Sequence, residues 1–559
     1  MRIIRNITLI IAAVATLGVA SAQHFRFGGL VMDHDGMMPA DMYKLSQTGF
    51  GFGSARSMAM AGAFTSLGGD YASVGINPAG LGMYRHNELT LTPMMTFHSA
   101  NTTSAMEGAQ NFGENGGNRF SIANMGLVLN TFESSDESGL MTFNIAFGYN
   151  RIADLNYRYG FSSLSGPSEY PYRSIADMYS RQLGQGGLFP GNNGSLGYDY
   201  GDAYYWGGAL AYNGYLLDVE QVYNPETGKY EDCWTTANRI GVNASVGHTT
   251  EVESRGSVGE FDVAFGMNYA NKLYFGMTLG VQMVDWRRRY YYSEDYLYQG
   301  LPLDADGRVL DGAAEWMDYY QGVNMSGVGM NLKLGVIYRP FGGLRLGWAL
   351  HTPTYYALDR EYAASMATNF NAYGDQTPVL EDHGPNTWDF ASPTRMLFGA
   401  SYTVGRFAIL SVDYERDWYN GIRVKNIPDG FDIRESDYRY EFKHNFKGSN
   451  TLRVGAELRP LPALALRAGY GVTDSMLSQP VESYYNSPMP YKLECYSAGL
   501  GIAIGSTSVD VAYQHLDQHN SSYYIFYAMD ENGVMDSASD LYTTTEKRDY
   551  VSLSVTFRF

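Results

Sequence analysis

Beyond residue 20 the chain has no apolar run of the roughly 20 residues that a helix needs to cross a bilayer, which excludes a helical membrane protein. Cysteine is nearly absent. Cys233 and Cys495 are the only two in 559 residues, too few and too far apart for a disulfide scaffold, and are read either as one pair or as two free thiols. Basic residues are scarce, 39 against 58 acidic ones, and at a net charge of -19 no basic cluster stands ready to neutralise phosphates, which argues against a nucleic-acid partner. Catalytic signatures are missing: there is no GxSxG elbow and no HExxH, so no enzyme is expected. No Pro/Ser-rich linker or charge block divides the chain into soluble domains.

What is present assigns a compartment. Arg2 and Arg5 precede an apolar run from Ile7 to Ala20, and Ala20-Ser21-Ala22 has the small-x-small form of a signal-peptidase site. The run is short for a membrane anchor, so residues 1–22 are read as a signal peptide and the exported mature chain as starting at Gln23. Gly at 64 and Tyr at 47 suit turns, strands and an interfacial aromatic belt.

The last ten residues, YVSLSVTFRF, alternate: Val551, Leu553, Val555, Phe557 and Phe559 share one face of a strand, and Ser552, Ser554, Thr556 and Arg558 the other. Nothing after Phe559 covers the apolar face, so earlier segments or lipid must. The same parity recurs upstream, with every charge on the polar face: Lys333 opposite Val328, Met330 and Leu332, Arg453 and Glu457 opposite Leu452 and Val454, Asp413 and Glu415 opposite Leu410 and Val412. Lys or Arg on a lipid face costs roughly 2–4 kcal/mol at mid-bilayer, so a membrane barrel requires this sorting. Arg406 breaks it, but in a turn.

Strands are expected near 88–97, 119–130, 139–150, 256–269, 272–285, 322–339, 343–352, 393–403, 406–419, 449–459, 463–472, 492–504, 507–517 and 548–559. Short turns such as YANK at 269–272 and GST at 505–507 alternate with long polar loops at 357–391, 421–447, 473–490 and 521–545. An even strand count with short turns on one rim and long loops on the other is the pattern of a Gram-negative outer-membrane barrel, turns periplasmic and loops outside. Residues 151–255 show no clean hairpin. SIADMYSRQLG at 174–184 and DAYYWGGALAYNGYLLDV at 202–219 look helical, so the stretch is read as one large extracellular insertion. The fold class expected is all-β: a transmembrane antiparallel barrel of about 14 strands, residues 88–559, preceded by a plug over 23–87.

The plug is inferred from its small residues, which let backbone approach a wall closely. Gly49, Gly51 and Gly53 superficially suggest a phosphate loop, but no P-loop Lys follows. The run ARSMAMAGAFTSLGGDYASVGINPAGLG, residues 55–82, resembles the N-terminal hatch of the FadL/TodX family of outer-membrane hydrophobic-compound transporters. Arg56 and Ala59 to Phe64 match its opening, Asp70 to Ser73 its middle, and Asn77-Pro78-Ala79 its NPA signature. The long insertion and the acidic loops depart from the family and leave the ligand open.

The resemblance implies passive uptake of hydrophobic molecules such as long-chain fatty acids, without a cofactor or metal. It implies gating by the hatch, with Arg56, Asn77, Pro78 and Ala79 as its residues, and lateral release into the bilayer where the third strand bends, Gly148 and Asn150 being the expected places. Phe557 and Phe559 resemble the signal read by the barrel-assembly machinery. The partners implied are hydrophobic small molecules and outer-membrane lipid, around a monomer. Two rivals are carried: a haem-uptake receptor using His98, His351, His383 or His444, and a barrel component of a protein secretion or surface assembly system.

Overall fold

The computed structural model describes residues 37–559 except 48, 105–109, 112–115, 136–138, 166–173, 191–205, 226, 237–238, 305, 373, 379–385, 429–433, 479–487 and 530–534. Residues 1–36, which include the expected signal peptide, lie outside the described residues.

Fourteen antiparallel strands form the wall. They are β1 (Glu88–Ser104), β2 (Gly116–Glu133), β3 (Leu140–Asp154), β4 (Ala244–Tyr269), β5 (Leu273–Tyr298), β6 (Ala314–Phe341) and β7 (Leu344–His351), followed by β8 (Arg395–Val404), β9 (Ala408–Trp418), β10 (Gly448–Leu461), β11 (Leu464–Asp474), β12 (Pro490–Ile504), β13 (Thr507–Asn520) and β14 (Leu541–Arg558). Each pairs with its sequence neighbours, and β14 also pairs with β1 from Glu88↔Arg558 to Ser104↔Tyr542, which closes the barrel. Closure removes the free edges that a bilayer does not tolerate. Both chain ends of the wall meet at the short-turn rim, where Asn87 and Phe559 exchange backbone hydrogen bonds. The YANK turn places Ala270 and Asn271 both at positive φ, the type I′ geometry of a two-residue hairpin.

The apolar set of the last strand faces outward: Val551, Leu553 and Phe557 are exposed while Ser552, Ser554 and Thr556 are buried. The charges that shared the polar face, Lys333, Arg453, Glu457, Asp413 and Glu415, all point inward and are buried. Lipid therefore covers the apolar face. From Phe559 to Asp549, ten residues at about 3.4 Å rise and about 40° tilt give roughly 26 Å, close to the height of a lipid-facing band. Aromatic residues mark both borders, Tyr338, Tyr402 and Phe407 near the short turns and Tyr470, Tyr496 and Tyr513 near the long loops.

Several strands outrun their expected ends. In β5 the outward residues are apolar up to Met283; beyond it Asp285, Arg287 and Arg289 face out and Trp286, Tyr290 and Tyr292 face in. The alternation continues while the apolar face switches from the lipid side to the lumen side. A strand expected to end at 285 thus continues to Tyr298, and β4 starts at Ala244 rather than 256. Residues 151–255 accordingly contain wall: Tyr157–Ser165 pairs with β4 from Tyr157↔Ser254 to Ser165↔Val246. Within that stretch stand the two expected helices, at Ile175–Gln185 and, shorter than expected, at Trp206–Asn213; the hairpin of Asp218–Asn224 with Lys229–Thr235 was not expected. The expected loop 357–391 likewise contains a strand, Tyr355–Phe370, paired with β6, in which Tyr356, Leu358, Arg360 and Tyr362 face inward.

The lumen is filled. Above the apolar band, Ile175, Met178 and Leu210 of the two helices pack with Tyr292, Tyr319 and Tyr542 of the wall. Below them, Met42 and Leu45 of the N-terminal helix Pro39–Ser46 pack with Trp286, Trp388, Tyr438 and Phe442.

Candidate functional site

Residues 37–84 lie inside the barrel and hydrogen-bond to its wall. Asn77 is fully buried at the N-cap of the 3-10 helix Pro78–Met83, its Oδ1 accepting from Ala79 N at 3.1 Å. Its Nδ2 donates to Thr65 O at 2.6 Å and lies 3.3 Å from the carbonyls of Val336 in β6 and Trp348 in β7. Pro78 occupies the first helical turn, where its missing N–H costs nothing. The wall makes room with glycine: a Cβ on Gly335 would lie 1.9 Å from Asn77 Oδ1, and one on Gly276 2.1 Å from the Pro78 carbonyl carbon. The NPA turn therefore docks backbone against backbone.

Arg56 sits in the short helix Ala55–Met58, capped by Ser54, whose hydroxyl donates to Asp70 at 2.8 Å. Its Nε is 2.9 Å from Glu457 Oε2 of β10, and Glu457 also binds Arg467, which reaches Asp510 at 2.6 Å. Plug and wall thus share one chain of inward charges. Backbone contacts add to it: Ala55 N donates to Ser554 Oγ at 2.7 Å, Thr65 N to Asp413 Oδ2 at 2.6 Å, and Ser497 accepts from Ala61 N and donates to Ala59 O, both at 3.0 Å. The polar face of the last strand meets the plug. Gly51 and Gly53 have φ of +98° and +121°, which only glycine adopts readily, so the GFGFG run turns the chain rather than cradling phosphate.

Beside the plug the wall is open. β2 pairs with β1 down to Glu88↔Val128, but its ladder to β3 runs only from Glu133↔Thr142 to Asn124↔Asn150. Beyond that pair β3 shifts register between Arg151 and Ala153 and leaves β2, and the wall is rejoined where Gln110–Asn111 pairs with Phe161 and Ser162. The result is a window with Arg119 to Ala123 along one side. Asn150 stands at its base, donating to Asp262 Oδ2 at 2.6 Å. Gly148 does not: it is paired on both sides, with Gly126 and Asp262, and its missing Cβ admits Tyr71 of the plug, whose hydroxyl would lie 2.2 Å away. Inside, a cavity of about 40 Å³ has a mixed lining, apolar from Phe50, Phe52, Ile152, Leu155, Leu493 and Leu516 and polar from Lys44, Gln47, Asp154, Gln518, Glu546 and Arg548.

The remaining sequence candidates are dispersed. His98 pairs with Glu546 at 3.3 Å, His351 Nε2 is 3.0 Å from the Ile76 carbonyl, and His444 contacts the Tyr440 carbonyl on the exposed face of the helix Glu435–His444, while His383 lies outside the described residues. Among the described residues no three His, Cys, Asp or Glu side chains are arranged to hold a metal. Cys233 is exposed, Cys495 is buried, and both are free thiols. Phe557 and Phe559 face outward at the seam. Sequence reasoning missed Thr65, Tyr71, Glu457 and the inward wall glycines as partners of the plug. The signal available was parity: Gly335, Gly347, Gly455 and Gly469 stand on the polar face of their strands, where small residues otherwise have no evident purpose.

No protein-family model and no curated protein matches the chain. Among solved structures, a Pseudomonas aeruginosa FadL homologue aligns with a TM-score of 0.50 and 12% identity, over 92% of this chain and 99% of that one. The P. putida toluene transporter TodX aligns with a TM-score of 0.49 and 14% identity, over 92% and 99%. At such identities the likeness is one of fold, and the fold of this chain is that of the FadL homologue's barrel.

Proposed function

We propose that the protein is an outer-membrane channel for passive uptake of small hydrophobic molecules, in which residues 37–84 act as a hatch and the window between β2 and β3 releases the ligand sideways into the bilayer. The observation that carries this reading is the place of the window: residues 152–155 of its β3 side line the cavity at the plug, where Phe50, Phe52, Leu493 and Leu516 supply apolar surface, while Arg151 faces the outside. An alkyl ligand gains about 0.8 kcal/mol per buried CH2, so an exit into lipid avoids the unfavourable step into periplasmic water. At about 40 Å³ the cavity holds a water or two and no aromatic ring, which suits a closed state. Passage then requires the Lys44–Phe52 segment to shift, and the left-handed Gly51 and Gly53 are where the chain turns.

Uptake of a labelled hydrophobic compound into proteoliposomes tests the reading. Wild-type protein is expected to accelerate uptake with little ion conductance. Replacing Phe120 and Ile122, at the outward edge of the window, with Asp is expected to slow uptake and leave conductance unchanged. Equal uptake by the two proteins would reject the lateral exit.

A further inference from the structure

Just above the lipid-facing band, the outer surface of the wall carries a cleft of about 580 Å³ at the window. Its floor is apolar and outward-facing, made by Phe120, Ile122 and Tyr149. Its upper side is basic: Arg151, Arg255 and Arg287 stand on the outward face of β3, β4 and β5, and Arg119, which its register opposite Thr96 puts on the lumen-side face of β2, lines the cleft from the edge of the window. Register brings them together, since Arg255 and Arg287 are directly paired across β4 and β5. Their compensation is partial. Arg255 holds Glu253 at 2.7 Å and Arg151 lies 3.6 Å from Asp154, but Arg119 and Arg287 have no carboxylate partner among the described residues. Asp285 is the one acidic residue lining the cleft. The Arg151 side chain is only 10% exposed, and its buried Nε has no hydrogen-bond partner. In a chain of net charge -19, four arginines gathered at the window are unlike the acidic balance of the whole.

From this arrangement we infer a binding site for the phosphorylated headgroup of the glycolipid that fills the outer leaflet of a Gram-negative outer membrane. Guanidinium groups bind phosphate oxygens in a bidentate fork, and the apolar floor directly below suits the first segments of the acyl chains. Basic pockets at the headgroup level of membrane proteins recognise anionic lipids in this way. A lipid held here stands at the lip of the window, so it orders the leaflet into which a ligand would emerge. The inference rests on the proposed orientation, long loops outward, and not on transport itself.

The test is native mass spectrometry of the full mature protein, incubated in detergent with bisphosphorylated lipid A, with its dephosphorylated form, or with phosphatidylglycerol. Wild-type protein is expected to retain lipid A over the other two, and the Arg119→Gln/Arg287→Gln variant to retain about fivefold less, the scale of losing two exposed ion pairs. Both positions are exposed, and heat-modifiable migration reports whether the variant has assembled. Arg287→Lys alone keeps the charge and serves as a second variant, expected to lose less than the double one. Equal retention of lipid A by wild type and an assembled double variant, or equal retention of the dephosphorylated lipid, would overturn the site. Equal retention of phosphatidylglycerol would overturn the glycolipid assignment. Failure of uptake in proteoliposomes with lipid A still retained would reject the transport reading and leave the site standing.

Discussion

Asn77 joins three separate pieces of chain: the plug loop at Thr65, strand β6 at Val336 and strand β7 at Trp348. Replacing it with Ala removes the donor to the buried Thr65 carbonyl, a cost of about 1–3 kcal/mol. The Asn77→Ala/Pro78→Ala variant is expected to assemble as a heat-modifiable barrel and to show raised ion leakage in planar bilayers and altered hydrophobic uptake; unchanged leakage would mean that the turn is only a connector. Gly335 offers an independent route to the same contact, because any side chain there collides with the Asn77 amide. Gly335→Leu, which leaves every plug residue intact, is expected to raise leakage at least as much as Asn77→Ala.

At the scale of elements, the helix Ile175–Gln185 is tied to the extended wall through Glu294. This carboxylate accepts from Ile175 N at 2.7 Å and from the hydroxyls of Ser174, Tyr292 and Tyr296, with His248 Nδ1 3.8 Å away. It stands above the lipid-facing band, beyond Met283, and burial raises its pKa from 4.5 to about 7. A carboxyl with a raised folded-state pKa holds a proton that the opened state releases, so its stabilisation is full below about pH 4.5 and is lost as pH rises through about 7. Hydrogen exchange of the helix is expected to accelerate relative to its intrinsic rate over that window, and Glu294→Gln to flatten the dependence. The terminal strand makes a different prediction. Phe557 pairs with Leu89 and Thr507, and Arg558 with Glu88 at 3.0 Å, so the last residues form the seam that closes the barrel. Deleting Phe557 to Phe559 is expected to lower the amount of inserted barrel, measured by heat-modifiable migration, rather than to change ligand affinity in what does assemble.

For the molecule as a whole, the plug is both obstruction and core. Met42, Leu45, Met58 and Ala59 are buried among wall and loop residues, so its removal opens the lumen and strips packing together. Removing residues 23–80 is expected to give an open, steady conductance and a lower temperature of the heat-modifiable transition. An unchanged, low conductance in an assembled barrel would show that the loops and the Ile175–Gln185 and Trp206–Asn213 helices close the lumen unaided.

The sequence by itself determined the wall. Within the lipid-facing band, period-2 alternation with the charges on one face is a local property, and lipid enforces it residue by residue, so Leu452 and Val454 could be placed outside and Arg453 inside from the sequence alone. The same logic placed Asn77 and Pro78 in a turn, because their backbone preferences are local too. The tertiary structure alone decided what those inward residues meet. Where β5 rises past Met283 the lumen, not lipid, becomes the apolar side, so the signal that defined the strand reverses and its true end is hidden. The window depends on β2 and β3 parting above Asn124 and Asn150, and the role of Gly148 depends on Tyr71, far from it in sequence. Pairing across a closed barrel and docking inside it are non-local, and no single segment carries their signal.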